Sequence, residues 1–272
     1  MDRGGCQLNG GGGNGPESGP GHGMISLEDL ESFSEDQTSD SGNGSLEDGG
    51  ETMEEDEDRL LHYWQDVARG HQVEVSQDMA EPIQQLTTNN QGRSNREPVP
   101  FTLIARKEKC GELLYEKRQY EKGHWACITV REETYEQSIC YGFMRIMKYI
   151  CQQNSSGDYL GMTLPIVTVV RTNENHSVIS HEVTVAYYLP INHQAQPPQP
   201  SDSDIVIEVW PATVVYARAF GGATNEVTII NQINAMAEVL DSPAVNDSFI
   251  VAGYTNPAHS NRQNEMWFLE RR

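Results

Sequence analysis

Between residues 134 and 151 the side-chain spacing sets two kinds of surface on one predicted helix. Thr134 is a suitable N-cap, and Ile139, Phe143, Ile146, Met147 and Ile150 recur at helical intervals along a core-facing stripe. Beside it run Cys140, Met144, Met147 and Lys148, at i, i+4, i+7 and i+8. Unbranched, polarizable thioethers make an adaptable apolar platform, and a lysine near the helix end offers a cation to an anionic group. The same residues also read as a widened core stripe, with Lys148 a solvated cation favoured by the helix dipole. Cys140, Phe143, Met144, Met147 and Lys148 are the candidate site residues of this helix.

Other reactive side chains assemble into nothing comparable. His176 and His181 are five apart across a turn, without cysteine or carboxylate at ligand spacing, and His193 sits in a proline-rich loop, so no metal site is expected. The five cysteines (Cys6, Cys110, Cys127, Cys140, Cys151) are odd in number and contain no C-x-x-C, C-x-x-C-H or Cys-Pro pattern. They read as reduced thiols, with no basic neighbour in sequence to stabilise a thiolate. A nucleophile elbow, a P-loop and a dinucleotide fingerprint are all missing from the sequence, so the chain is expected not to be an enzyme. Phe220-Gly221-Gly222 precedes a second predicted helix, where an anion site is conceivable; a tight turn into the helix is the plainer reading.

The elements that must position the first helix follow from residue 98 onward. Strands are predicted near 101–106, 112–118, 123–130, 165–171, 178–188, 204–209, 212–219, 248–254 and 265–270, from β-branched and aromatic runs bounded by turns. A second helix starts near Thr224, with Val227, Ile230, Ile233, Ala237 and Leu240 in period, and stops before Pro243. The order βββαββββαββ predicts an α+β domain of two similar halves, forming a curved or closed antiparallel sheet flanked by two helices.

Composition separates this domain, residues 97–272, from residues 1–96. Of 24 glycines in the 272-residue chain, 14 lie in the first 50 positions, among Ser, Asn, Asp and Glu. Such a stretch buries too little apolar area to offset chain entropy and reads as a disordered acidic tail. It carries 20 acidic and 5 basic side chains, against 20 and 14 in the remainder, which accounts for most of the net charge of −21. That field disfavours nucleic acid and anionic lipid as partners. Within the tail, Leu60, Leu61, Tyr63, Trp64 and Val67 are spaced for a short helix at 57–69, which either docks on the domain or meets a protein partner; residues 70–96 read as a linker. The first 25 residues lack a signal-like apolar run and no stretch suffices to span a bilayer, so a cytoplasmic location is expected. The N-x-S triplets at Asn154, Asn175 and Asn246 would then go unused.

Seven segments in order carry a family resemblance: E-K-R-Q-Y-x-x-G-H-W (116–125), F-M-R-I-M-K-Y-I (143–150), G-M-T-L-P-I (161–166), Y-L-P (188–190), P-P-Q-P-S-D-S-D-I-V-I-E (197–208), F-G-G (220–222) and A-G-Y-T-N-P…N-E-M-W (252–267). Together they resemble the SOUL/heme-binding proteins over about residues 97–272. The resemblance implies a distorted antiparallel β-barrel with two helices, and a groove on one helix that takes heme or another tetrapyrrole. A porphyrin offers a flat apolar ring and two propionates, which suits the methionine strip and Lys148. In the family a Y-x-x-P loop faces this helix and carries a basic residue after the proline; here that loop supplies Pro257, Ala258 and His259, about one residue shorter than in relatives. His259 stands where a lysine is common, able to meet a propionate when protonated or iron when neutral. Some members have a histidine between the residues matching Arg118 and Tyr120; this chain has Gln119, which argues against iron ligation there. His124 is expected at an edge or surface, opposite Trp125 and Cys127. The resemblance thus implies non-covalent heme binding by a carrier or buffer, the alternative being a scaffold that recruits a partner through the acidic tail and the Leu60–Val67 segment.

Overall fold

The computed structural model describes residues 96–240, 247–255 and 262–270 and, before them, residues 62, 63, 65, 66, 69–73, 77–79 and 82. Its strands are β1 (Arg96–Pro98), β2 (Phe101–Lys109), β3 (Glu112–Tyr120), β4 (Gly123–Arg131), β5 (Met162–Leu164), β6 (Ile166–Arg171), β7 (Glu182–Tyr188), β8 (Ile205–Trp210), β9 (Thr213–Gly221), β10 (Ser248–Gly253) and β11 (Gln263–Leu269). Helix α1 (Tyr135–Cys151) follows β4, the single turn α2 (Ile191–Gln194) follows β7, and α3 (Glu226–Val239) follows β9.

Nine strands form one antiparallel sheet in the order β2-β3-β9-β11-β10-β6-β7-β4-β8. The nine match those expected from sequence. The strand predicted from 178 begins at Glu182, because the preceding residues belong to a turn. There Asn173 Oδ1 accepts from the Ser177 and Val178 amides, and His176 has a φ of 51°. Only Thr172 and Ile179 bridge across it. The small strands β1 and β5 pair in parallel, apart from the main sheet.

The strand order is nearly palindromic about β10 and β6, and it expresses the two similar halves. β4-α1-β6-β7 in the first half corresponds to β9-α3-β10-β11 in the second, each with the spatial order first-third-second strand. β3 of the first half lies beside β9, and β8 of the second beside β4.

Both faces are largely buried along the central strands β4, β6, β7, β10 and β11, which read as near-continuous apolar runs, whereas all nine residues of the edge strand β2 are exposed. On one face Ala126, Ile128, Val130, Val185 and Tyr187 meet α1, while Phe249, Val251, Met266 and Phe268 meet α3. Residues of opposite parity, among them Tyr120, Trp125, Cys127, Ala186, Tyr188, Val215, Ile250 and Trp267, make a second core. A flat sheet this wide would leave that face wet; the sheet curls into an open half-barrel with β2 and β8 at its edges.

Several segments that carried the resemblance explain themselves here. In E-K-R-Q-Y, Glu116, Arg118 and Tyr120 alternate onto the inner face. Arg118 donates to both oxygens of Glu265 at 2.8 Å and to Glu116, and Trp267 Nε1 and the Tyr254 hydroxyl donate to the same Glu265 oxygen at 2.7 Å. Burial alone would raise the Glu116 pKa, but hydrogen bonds from Arg106 and Arg118 outweigh it and hold the carboxyl below its usual range. This buried network ties β3 to β11 with its charges compensated, the condition under which burying them is tolerable.

Candidate functional site

Helix α1 starts where sequence chemistry places it. Thr134 Oγ1 accepts from the Gln137 amide and Gln137 Oε1 accepts from the Thr134 amide, both at 3.2 Å, forming a capping box. The helix seats closely on the sheet through Gly142, where a Cβ would come 2.7 Å from Val185 Cγ2. Ile146, Tyr149 and Ile150 flank that glycine and are fully buried. Farther along, Arg145 donates to Asp202 at 2.5 and 2.6 Å and to Asp204 at 2.6 Å, and the Tyr149 hydroxyl donates to the Pro198 carbonyl at 2.8 Å. The proline-rich segment 197–208 therefore clamps the helix.

At about 100° per residue, Cys140, Met144, Met147 and Cys151 project from the side of α1 opposite Gly142, Ile146 and Tyr149. The sequence allows two readings of this strip, a binding platform beside the core stripe or a widening of that stripe, and places Ile139 and Phe143 in the core. The strip is buried, and Ile139 and Phe143 are less so than expected. Cys140, Met144 and Met147 are 4%, 5% and 2% exposed, whereas Ile139 and Phe143 are half-buried at the flanks.

Cover on that side comes from residues preceding β1. Val73 and Met79, 6% and 1% exposed, belong to the same cluster as Cys140, Met144, Met147 and Cys151, and Tyr63 packs against it. Residues 62, 63, 65, 66, 69 and 70 are helical, and Gln77–Met79 form a 3-10 turn. Polar contacts fix the alignment along α1: Gln137 Nε2 donates to the His71 carbonyl at 2.5 Å, Lys148 Nζ meets Asp78 Oδ2 at 2.7 Å, and the Cys151 thiol donates to the Pro82 carbonyl at 3.4 Å. The Arg262 guanidinium lies 5.2 Å from the Tyr63 ring centroid. Leu60, Leu61, Trp64 and Val67, the other apolar residues of the predicted short helix, lie outside the described residues, as do Pro257, Ala258 and His259. Val73, Asp78 and Met79 were not singled out from sequence. The available signal was indirect: an apolar strip facing away from the sheet needs a cover or a ligand.

Electrostatics of the strip favour neutral groups. Burial, with the Glu136 carboxylate adding to it, pushes the Cys140 thiol up to about 12, and burial does the same for Cys151. Both are thiols rather than thiolates at neutral pH, and so poor iron ligands in this state. Gln119 is half-buried on β3, and His124 is half-buried on β4 beside the buried Trp125. Ahead of α3 the Glu226 amide donates to Glu136 Oε1 at 3.1 Å, so a carboxylate of the chain itself already faces that helix start. Gly222, in the turn before it, has a φ of 89°, as the tight-turn reading requires. Among the described residues no group of three or more His, Cys, Asp or Glu could hold a metal ion, and Cys110, Cys127, Cys140 and Cys151 are free thiols.

Residues 96–269 match the profile of the SOUL heme-binding protein family. The chain belongs to that family. Heme-binding protein 1 of Xenopus laevis is 28% identical over 185 residues, 67% of this chain and 92% of that protein. Heme-binding protein 2 of Homo sapiens is 28% identical over 161 residues, 58% and 78% of the two chains. Among solved structures, the EcmrR C-terminal domain resembles the chain with a TM-score of 0.37 at 12% identity, covering 58% of this chain and 99% of that one. The SOUL match begins at β1, so the residues that cover the strip on α1 precede it. No helix among the described residues is long and apolar enough to cross a membrane.

Proposed function

We propose that this SOUL-family protein binds heme or a related tetrapyrrole non-covalently, against the outer face of α1, as a cytoplasmic carrier or buffer without catalytic activity. The observation that carries the reading is the Cys140–Met144–Met147 strip, which lies on the side of α1 opposite Gly142, packs with Val73 and Met79 from before β1, and ends beside Lys148. Met144 and Met147, with Phe143 at the flank, would support the ring, and Lys148 would pair with a propionate. Pro257, Ala258 and His259 would form the facing wall. The names of the curated relatives support the ligand class, and the protonated state of Cys140 supports binding through the ring rather than through a thiolate.

Titration of hemin into the full chain, followed by the Soret band, should show saturable binding. A Met144→Glu/Met147→Glu variant, checked for retained fold by circular dichroism, should bind at least about tenfold more weakly, since a carboxylate facing an apolar ring costs more than the roughly 1.4 kcal/mol that a tenfold change represents. Unchanged affinity in a folded variant removes this site. Failure to saturate removes the function.

A further inference from the structure

Asp78 and Met79 together present what the proposed ligand would present: a carboxylate on Lys148 and an apolar body on the methionine strip. The Asp78 oxygen is 2.7 Å from Lys148 Nζ, and Met79 is 1% exposed within the cluster of Met144 and Met147. Val73 and Tyr63 join the same cluster, and the His71 and Pro82 carbonyls take hydrogen bonds from Gln137 and Cys151 at the two ends of the helix. A porphyrin ring cannot lie on Met144 and Met147 while these side chains do. All of the covering residues precede the matched domain at 96–269.

We propose that the described residues between 62 and 82, through Tyr63, Val73, Asp78 and Met79, act as an intramolecular cap, a pseudo-ligand that holds α1 closed and must leave it before a tetrapyrrole binds. This rests on the α1 site proposed above. The anchors are suited to reversible release. Asp78 is 56% exposed at its side chain, and the apolar anchors among the described residues are Tyr63, Val73 and Met79. Cap and ligand then compete for one surface, and the fraction of chains with the cap open scales the apparent affinity. A cap closed in about nine molecules of ten raises the apparent Kd about tenfold.

The test uses the full chain and three single substitutions. Met79→Ser weakens the apolar anchor without changing charge, Asp78→Asn removes the carboxylate from Lys148, and Asp66→Asn makes the same charge change at an exposed position of the segment whose Asp66–Arg69 pair is solvated. Hemin should bind several-fold more tightly to Met79→Ser and to Asp78→Asn than to the parent, with Asp66→Asn unchanged. Independently of ligand, alkylation by iodoacetamide mapped by peptide should be slow at Cys140 and Cys151 in the parent and faster in Met79→Ser. Cys127, buried on the inner face, should stay slow in both. Weaker hemin binding in Met79→Ser would make the segment a wall of the site and overturn the cap. Faster alkylation without a change in affinity would equally overturn it, because the segment would then open without gating the ligand. Equal affinity and equal alkylation in parent and variants overturn it as well. If hemin saturates none of the proteins, the tetrapyrrole reading fails, and the alkylation pattern shows separately whether the segment opens.

Discussion

Helices α1 and α3 occupy equivalent positions in the two halves of the domain, yet α1 buries eleven of its seventeen residues and α3 three of its fourteen. The sheet-facing sides are alike: Gly142, Ile146 and Tyr149 in α1, Ile229, Ile233 and Met236 in α3. The difference lies on the outer sides. That of α3 is open, with Val227 67% exposed, whereas that of α1 carries two methionines and two cysteines under residues from before β1. Holding a helix on this half-barrel requires one apolar side. The second side, on α1, packs under residues that precede the sheet, whereas the corresponding side of α3 is exposed at Val227.

The contrast breaks most readily at Met147. A Met147→Asp substitution puts a carboxylate against the apolar strip and should weaken hemin binding at least about tenfold. Asn234→Asp on the exposed side of α3 should leave binding unchanged in the same titration. Gly142→Ala tests the shared inner side. Its Cβ would meet Val185 at 2.7 Å, and overpacking should cost about 1–3 kcal/mol in denaturant unfolding. The helix starts should behave alike: Thr134→Ala and Asn225→Ala each remove a side-chain acceptor from the first turn and should each cost about 1 kcal/mol in the same assay. Smallest of all, Val227→Ser should fall within about 0.5 kcal/mol of the parent, since its side chain is already in water. A large loss there would mean that α3 has an outer partner too, and the asymmetry would disappear.

All nine strands of the main sheet could be read from sequence: the central ones are buried on both sides and mark themselves with β-branched and aromatic runs, and the exposed β2 carries the same residue types at 101–104. β1 and β5, three residues each and held by parallel pairing between Arg96–Pro98 and Met162–Leu164, have no local signature, since each pairs with a strand more than sixty residues away and the Thr163 hydroxyl donates to the Tyr188 carbonyl of β7. The spacing of Cys140, Met144, Met147 and Lys148 was legible, as was a widening of the core stripe by the methionines, but what covers them was not. Periodicity tells which residues share a side of a helix, but not which side meets the sheet. Here the small residue Gly142 decided it by allowing close approach to Val185. Val73 and Met79 escaped notice because the apolar residues of this polar stretch are too few and too irregularly spaced to mark an element.

The exchange of outer strands has a consequence for how the molecule comes apart. Since β3 lies against β9 and β8 against β4, each half completes the other's sheet. Cleavage in the proline-rich stretch between α2 and β8 would therefore not liberate two modules. The fragments should remain clasped, and either one isolated would bare strand edges that its counterpart covers. A gene encoding one half could not drift freely from the other, because a slip of register in either is felt at once by its neighbour's outer strand.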